Sequence, residues 1–219
     1  MESENSIKYF PGLPVAEYLE EASSGRPVPG GGSVASVAAA MGASLMEMTA
    51  NFTVGKEKYT SVEEKVKSIL SETNLFRQEL VKLAQDDTEA YGSLSSAFKM
   101  PKQTDDEKKL RVAAIQSALK GACAVPLRIA QICVELLALC PGLARAGNPN
   151  LITDVGVAVN LIPAAFESAL LNVEINLKSI KDADFIKDAR NKISVWKKEI
   201  EENRIVAIGL VNEKLREEK

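Results

Sequence analysis

Along this chain apolar positions recur every three to four residues through long stretches without helix breakers. Neither glycine nor proline occurs from Lys56 to Tyr91, from Lys102 to Lys120, or between Pro163 and Gly209. That period belongs to helices packed on one face, and no pair of alternating runs is joined by an Asn-Gly or Asp-Gly turn. The pattern predicts six helices, over 13–23, 33–54, 61–98, 105–138, 149–180 and 183–217. No shift in composition marks a linker, so the expectation is one all-α domain spanning 1–219, a bundle of about six helices.

Two features set the packing of this bundle. The segment from Ser33 to Ser44 carries Ala35, Ser36, Ala38, Ala39, Ala40, Gly42 and Ala43. Small side chains let helix axes approach closely, which marks a central helix. Pro126 and Pro163 fall inside predicted helices. Each lacks an N–H and crowds the carbonyl four residues earlier, on Ala122 and Val159, so kinks are expected there. The freed carbonyls either serve a ligand or accompany simple curvature.

Composition narrows the chemistry. Hydrophobic residues make up 46% and charged residues 26% of 219 residues, with a formal charge of -3. There is no basic excess to hold a phosphate backbone, so nucleic acid is not an expected partner. The chain contains no histidine. That removes imidazole acid/base work, His-dependent triads and the common zinc sites, and no metal is expected. Proton transfer must use Asp, Glu, Lys, Tyr, Cys or water. Cys123, Cys133 and Cys140 form no C-x-x-C pair and read as reduced core thiols of a cytoplasmic protein. The longest apolar run, Val34 to Met46, is too short to cross a bilayer, so no membrane association is expected.

Four places could carry chemistry. Pro29-Gly30-Gly31-Gly32-Ser33 opens the small-residue helix. It suits either an anion held at a helix start or a flexible turn with Ser33 as N-cap. Ser33 and Asn51 share one face of that helix with Ser36, Ser44 and Glu47, a polar stripe facing a cavity or solvent. Gly55 reads as the helix stop, with Lys56 and Lys58 beyond it at the negative end of the dipole. On 61–98 the apolar stripe runs Ile69, Phe76, Leu80, Leu83, Tyr91, Leu94 and Phe98, and Asp87 sits on it whereas Asp86 does not. A core-facing carboxylate is either used or paired, here with Arg128 as the available cation. Finally, Asn148-Pro149 reads as a helix start, after which Asp154, Asn160 and Asn172 interrupt a hydrophobic helix. Asp154 and Asn172 share a face about 27 Å apart and mark opposite ends of a groove, unless they only cap and fill the core.

Taken in order, five blocks resemble a known family. They are Pro29-Gly-Gly-Gly-Ser33, Asn51-x-Thr53-x-Gly55-Lys56, Asp87-x-Glu89-Ala90-Tyr91, Gly147-Asn148 with Thr153-Asp154-Val155-Gly156, and Leu171-Asn172-Val173-x-Ile175-Asn176. Their order and spacing are similar to those of the formiminotetrahydrofolate cyclodeaminase / methenyltetrahydrofolate cyclohydrolase family. The resemblance implies an all-helical homodimer with sites near the subunit interface, a tetrahydrofolate derivative as substrate and no required cofactor. It implies Asp87 and Asp154 for proton relay and cation stabilisation, and Gly30, Gly31, Gly32, Ser33, Asn51, Lys56, Asn148 and Asn172 as folate contacts. The expected reaction is cyclisation of 5-formiminotetrahydrofolate with release of ammonia, with hydrolysis of the methenyl bridge as the alternative. With 219 residues, the expectation is a chain without the transferase domain that precedes this one in bifunctional members. A non-catalytic helical dimerisation protein is the competing expectation, in which Asp87 would sit in an ion pair.

Overall fold

The computed structural model describes residues 8–216. Among them six α-helices and no strand occur: α1 (Val15–Ser23), α2 (Gly31–Asn51), α3 (Glu63–Lys99), α4 (Asp105–Ala146), α5 (Ile152–Leu177) and α6 (Ala183–Arg216). Short 3-10 turns at Phe10–Gly12, Glu57–Val62 and Pro149–Leu151 connect or precede them. The predicted end of the last helix at 217 lies outside the described residues.

Side-chain pairings fix the directions. Ser36 on α2 bonds the Leu80 carbonyl on α3, and Glu47 near the end of α2 meets Arg77 nearer the start of α3. Gly31 lies beside Asn172, Gly42 beside Ile162, and Thr53 beside Asn148. Thus α3 and α5 both run antiparallel to α2. The small residues of α2 do what their size predicts. A Cβ added at Gly42 would stand 2.9 Å from Ile162 Cγ1, so this crossing tolerates no side chain. α2 packs against α3, α4 and α5, and α4 also packs against α6. The core between them is built from Met46, Leu80, Ile129, Leu136, Ile162 and Phe166, all fully buried.

Several boundaries differ from the sequence reading. α2 begins at Gly31 with Gly30 as its N-cap, so Ser33 is an interior residue of the first turn and not the cap. It ends at Asn51, and Gly55, at φ +72°, shapes the following turn. α4 does not stop at 138 but continues through Pro141 to Ala146. Proline removes only one donor, and burial of Leu143 and Ala144 in the core outweighs that loss. Asn148 caps the 3-10 turn, accepting the Asn150 N–H at 3.1 Å, one turn before α5 proper. The α4 start follows a capping box: Thr104 Oγ1 accepts from the Glu107 N–H at 3.2 Å, and Glu107 accepts from the Thr104 N–H at 2.9 Å.

Run length understated the apolar helices. α2, α4 and the segment from Pro149 through α5 are each long and apolar enough, by length and composition, to cross a bilayer. About half of each stretch is buried against the other helices of the bundle, which is where much of that apolar surface goes. All three cysteines are buried free thiols. Burial pushes Cys123 up to about 11, Cys140 up to about 12 and Cys133 higher still, which makes them poor nucleophiles at neutral pH.

Candidate active site

Asp87 sits about two-thirds of the way along α3, on the side turned toward α2, as its spacing in the stripe predicts. Among the described residues it makes no ion pair. Arg128 instead holds Glu79 through two bonds, 2.7 and 2.8 Å, and reaches Glu135. Asp87 Oδ2 accepts the backbone N–H of Ser33 at 3.0 Å. The carboxylate therefore stands against the positive end of α2, supplying from another helix the acceptor that the Gly30 N-cap lacks. Gly32 makes this approach possible: a Cβ there would lie 2.1 Å from Asp87 Oδ1. Here the glycine is needed for close contact, not for an unusual backbone angle. Ser33 turns its hydroxyl the other way, to the buried hydroxyl of Tyr18 at 3.0 Å, so its side chain is not free for a ligand. Burial pushes the Tyr18 hydroxyl above its ordinary pKa.

Around Asp87 lies a cavity of about 320 Å³, lined by Pro27, Val28, Gly30, Gly31, Gly32, Ala90, Tyr91, Leu94, Ala122, Asn172, Ile175 and Asn176. A second hollow of about 350 Å³ between α2 and α5 shares Gly31 and Asn172 with it. Volumes of this size suit a small organic ligand. The walls are apolar, and the polar side chains are a carboxylate, two amides and the phenol of Tyr91. Among the described residues no three His, Cys, Asp or Glu side chains converge as a metal site.

Burial holds the Asp87 carboxyl above its ordinary value, with the Ser33 N–H opposing. An acid with a raised folded pKa binds its proton more tightly folded than unfolded. Stability therefore falls as pH rises from the ordinary carboxylate value through the folded one. Asp87→Asn removes this charge and keeps an acceptor for Ser33. It is expected to be at least as stable as the unaltered chain at about pH 7, with the difference closing toward about pH 4. Urea midpoints at both pH values check this, and a clearly less stable variant at neutral pH would contradict it.

The structure brings together Gly30, Gly31, Gly32, Asp87 and Asn172 at the cavity, with Ser33 behind them through its amide. It places the remaining candidates at the opposite end of α2. Asn51 is exposed beside Glu47, Lys67 and Asn74. Lys56 is exposed past the helix end. Asn148 donates to the Phe52 carbonyl, and Asp154 is half-buried in the first turn of α5. Eighteen helical residues separate Ser33 from Asn51, about 27 Å, so one chain alone does not unite the two sets. The expected polar stripe on α2 also divides: Ser33 and Ser36 are buried in internal bonds, Ser44 is exposed, and Glu47 pairs with Arg77. Asn160 is exposed, not held inside the helix packing. Sequence reasoning singled out neither Asn176 nor Tyr91 as site residues. Both stood in the blocks quoted above, and the spacing of Tyr91 four residues after Asp87 was the available signal.

Residues 14–195 match the formiminotransferase-cyclodeaminase family. The chain is 37% identical over 203 residues to a methenyltetrahydrofolate cyclohydrolase of Methylorubrum extorquens, covering 93% of this chain and 94% of that protein. It is 30% identical to a rat formimidoyltransferase-cyclodeaminase, covering 88% of this chain but 36% of that longer protein. The fold is similar to the crystal structure of a formiminotetrahydrofolate cyclodeaminase from Thermotoga maritima, with a TM-score of 0.84 and 32% identity over 93% of this chain and 98% of that one.

Proposed function

The chain belongs to the formiminotransferase-cyclodeaminase family. From that premise we propose that it closes the one-carbon bridge of 5-formiminotetrahydrofolate with release of ammonia, using Asp87 as the proton-handling group. In that substrate an amidine carbon hangs from one pteridine nitrogen. The neighbouring arylamine nitrogen attacks it, and a carbon–nitrogen bond forms. The arylamine proton must reach the departing nitrogen before ammonia leaves. Protonated substrate and methenyl product are both delocalised cations, so net charge is conserved. A carboxyl held above its ordinary pKa is suited to take and return that proton. In its ionised form it stabilises the cation inside a cavity of low dielectric. The nucleophile already resides in the molecule, so positioning supplies much of the rest. The observation that carries this reading is the Asp87 carboxylate, without an ion-pair partner among the described residues, beside the glycine-opened start of α2 and facing a ligand-sized cavity.

Hydrolysis of the methenyl bridge is the second reading, favoured by the end-to-end similarity to the Methylorubrum extorquens cyclohydrolase. It places water where ammonia would be. Presenting each folate separately decides between them: methenyl absorbance and ammonia appear together in the first case, and methenyl absorbance disappears in the second. A chain that does neither is not a folate enzyme of this kind.

We further propose a homodimer formed through the α2/α5 face. Val34 and Met41 on α2, with Val157, Leu171 and Ile175 on α5, are exposed, and Leu161 and Ala164 lie between them. This apolar stripe is bordered by Glu167 and has Asp154 at one end, three residues before Val157, and Asn172 with the Asp87 cavity at the other. Two copies paired antiparallel across it would bring the distant set of one to the Asp87 cavity of the other, where Lys56 could meet a folate glutamate. Leu171 is 74% exposed in the single chain, so Leu171→Asp leaves the core untouched. The expected result is a folded monomer by light scattering with most turnover lost. A variant that stays dimeric and active removes this interface.

A further inference from the structure

Pro126 has no backbone N–H, so the Ala122 carbonyl loses its helical donor. The structure shows what takes its place. Asn176, on α5, donates its Nδ2 to the Ala122 oxygen at 3.3 Å and to the Asn172 carbonyl at 2.8 Å. Both partners are carbonyl oxygens, which only accept. The amide nitrogen must therefore face them, and Oδ1 must face away. Asn172 is set the same way, with its Nδ2 on the Ser168 carbonyl at 2.9 Å. Both side chains line the Asp87 cavity together with Ala122, and neither Oδ1 has a hydrogen-bond partner within the described chain.

We propose that Asn176 is a substrate-binding residue whose Oδ1, with that of Asn172, accepts hydrogen bonds from N–H groups of the substrate's heterocycle, and that Pro126 is the positioning residue that fixes its amide. The inference rests on the folate reading and adds which end of the substrate enters. A carboxylate and two outward-facing amide oxygens make a wall of acceptors. It welcomes the ring N–H and amino groups of a reduced pterin and repels the carboxylates of a glutamate tail. The ring end therefore occupies this cavity, and the tail points out of it.

A double-mutant cycle tests the link. Asn176→Leu removes the acceptor and is expected to raise KM about ten-fold, the effect of one lost hydrogen bond made equally in ground and transition states. Pro126→Ala restores a backbone N–H for Ala122, removes the inter-helical anchor of the Asn176 amide while its bond to the Asn172 carbonyl remains, and raises KM by a smaller factor. In the Asn176→Leu background, Pro126→Ala is expected to change nothing further. An unchanged KM in Asn176→Leu, or a Pro126→Ala effect of equal size in both backgrounds, overturns the proposal. Side-chain amide exchange by NMR gives a substrate-free measure should Asn176→Leu fail to fold: faster exchange at Asn176 in Pro126→Ala than in the unaltered chain supports the proposal. Equal rates in the two overturn it. An unaltered chain that binds and turns over no folate ends the folate reading as well, which separates the two failures.

Discussion

Asp87→Asn is expected to lower turnover by roughly 10²–10⁴-fold while the bundle stays folded. Asparagine fills nearly the same volume and still offers an oxygen to the Ser33 N–H, so the start of α2 keeps its acceptor. What it cannot do is take up and release a proton, or carry the negative charge that opposes a cationic one-carbon unit. Loss of activity with a retained or raised unfolding midpoint would separate chemistry from folding in one experiment. Such a pairing is expected wherever a carboxylate is buried for use and not for stability. Turnover within a factor of about three of the unaltered chain would remove Asp87 from the mechanism.

Gly32→Ala is the second large effect. The new Cβ would stand 2.1 Å from Asp87 Oδ1, 2.5 Å from Cγ and 2.8 Å from Oδ2, all far inside contact distance. Either Asp87 swings off the Ser33 amide or the first turn of α2 shifts. Both displace the carboxylate on the scale at which misplacement costs about 10²-fold in rate. Overpacking of this kind also costs about 1–3 kcal/mol of stability. The three nearest atoms all belong to Asp87, so Asp87→Ala should relieve the clash. In that background Gly32→Ala is expected to be neutral or slightly stabilising, since alanine is the better helix former. Urea unfolding of the four proteins measures this. A Gly32→Ala protein as stable and active as its parent would show that the close approach is unimportant.

Much of the fold was legible because helices announce themselves locally. Period and the placement of glycine and proline act within a few residues. The same periodicity put Asp87 on the inner side of α3 and Asp86 beside it on the outer. Errors arose where a distant residue decided. Ser33 looked like an N-cap because a serine after glycines usually is one, yet the acceptor came from Asp87, 54 residues away. The fourth helix was expected to end at 138 because nothing nearby says that Leu143 and Ala144 will be buried. The freed Ala122 carbonyl was foreseeable from Pro126, but its partner Asn176 lies 54 residues further on.

By itself the sequence determined six helices, the apolar face of α3, the absence of imidazole chemistry and the inward turn of one carboxylate, because each of these follows from residue type and from spacing within a few turns. Only the tertiary structure decided that Asp87 meets the start of α2 and not Arg128, that Asn176 holds a carbonyl left open by proline, and that Asn51, Lys56, Asn148 and Asp154 stand at the far end of the bundle. Those are pairings between helices, set by how whole faces pack, and no local period encodes which distant neighbour a face will meet.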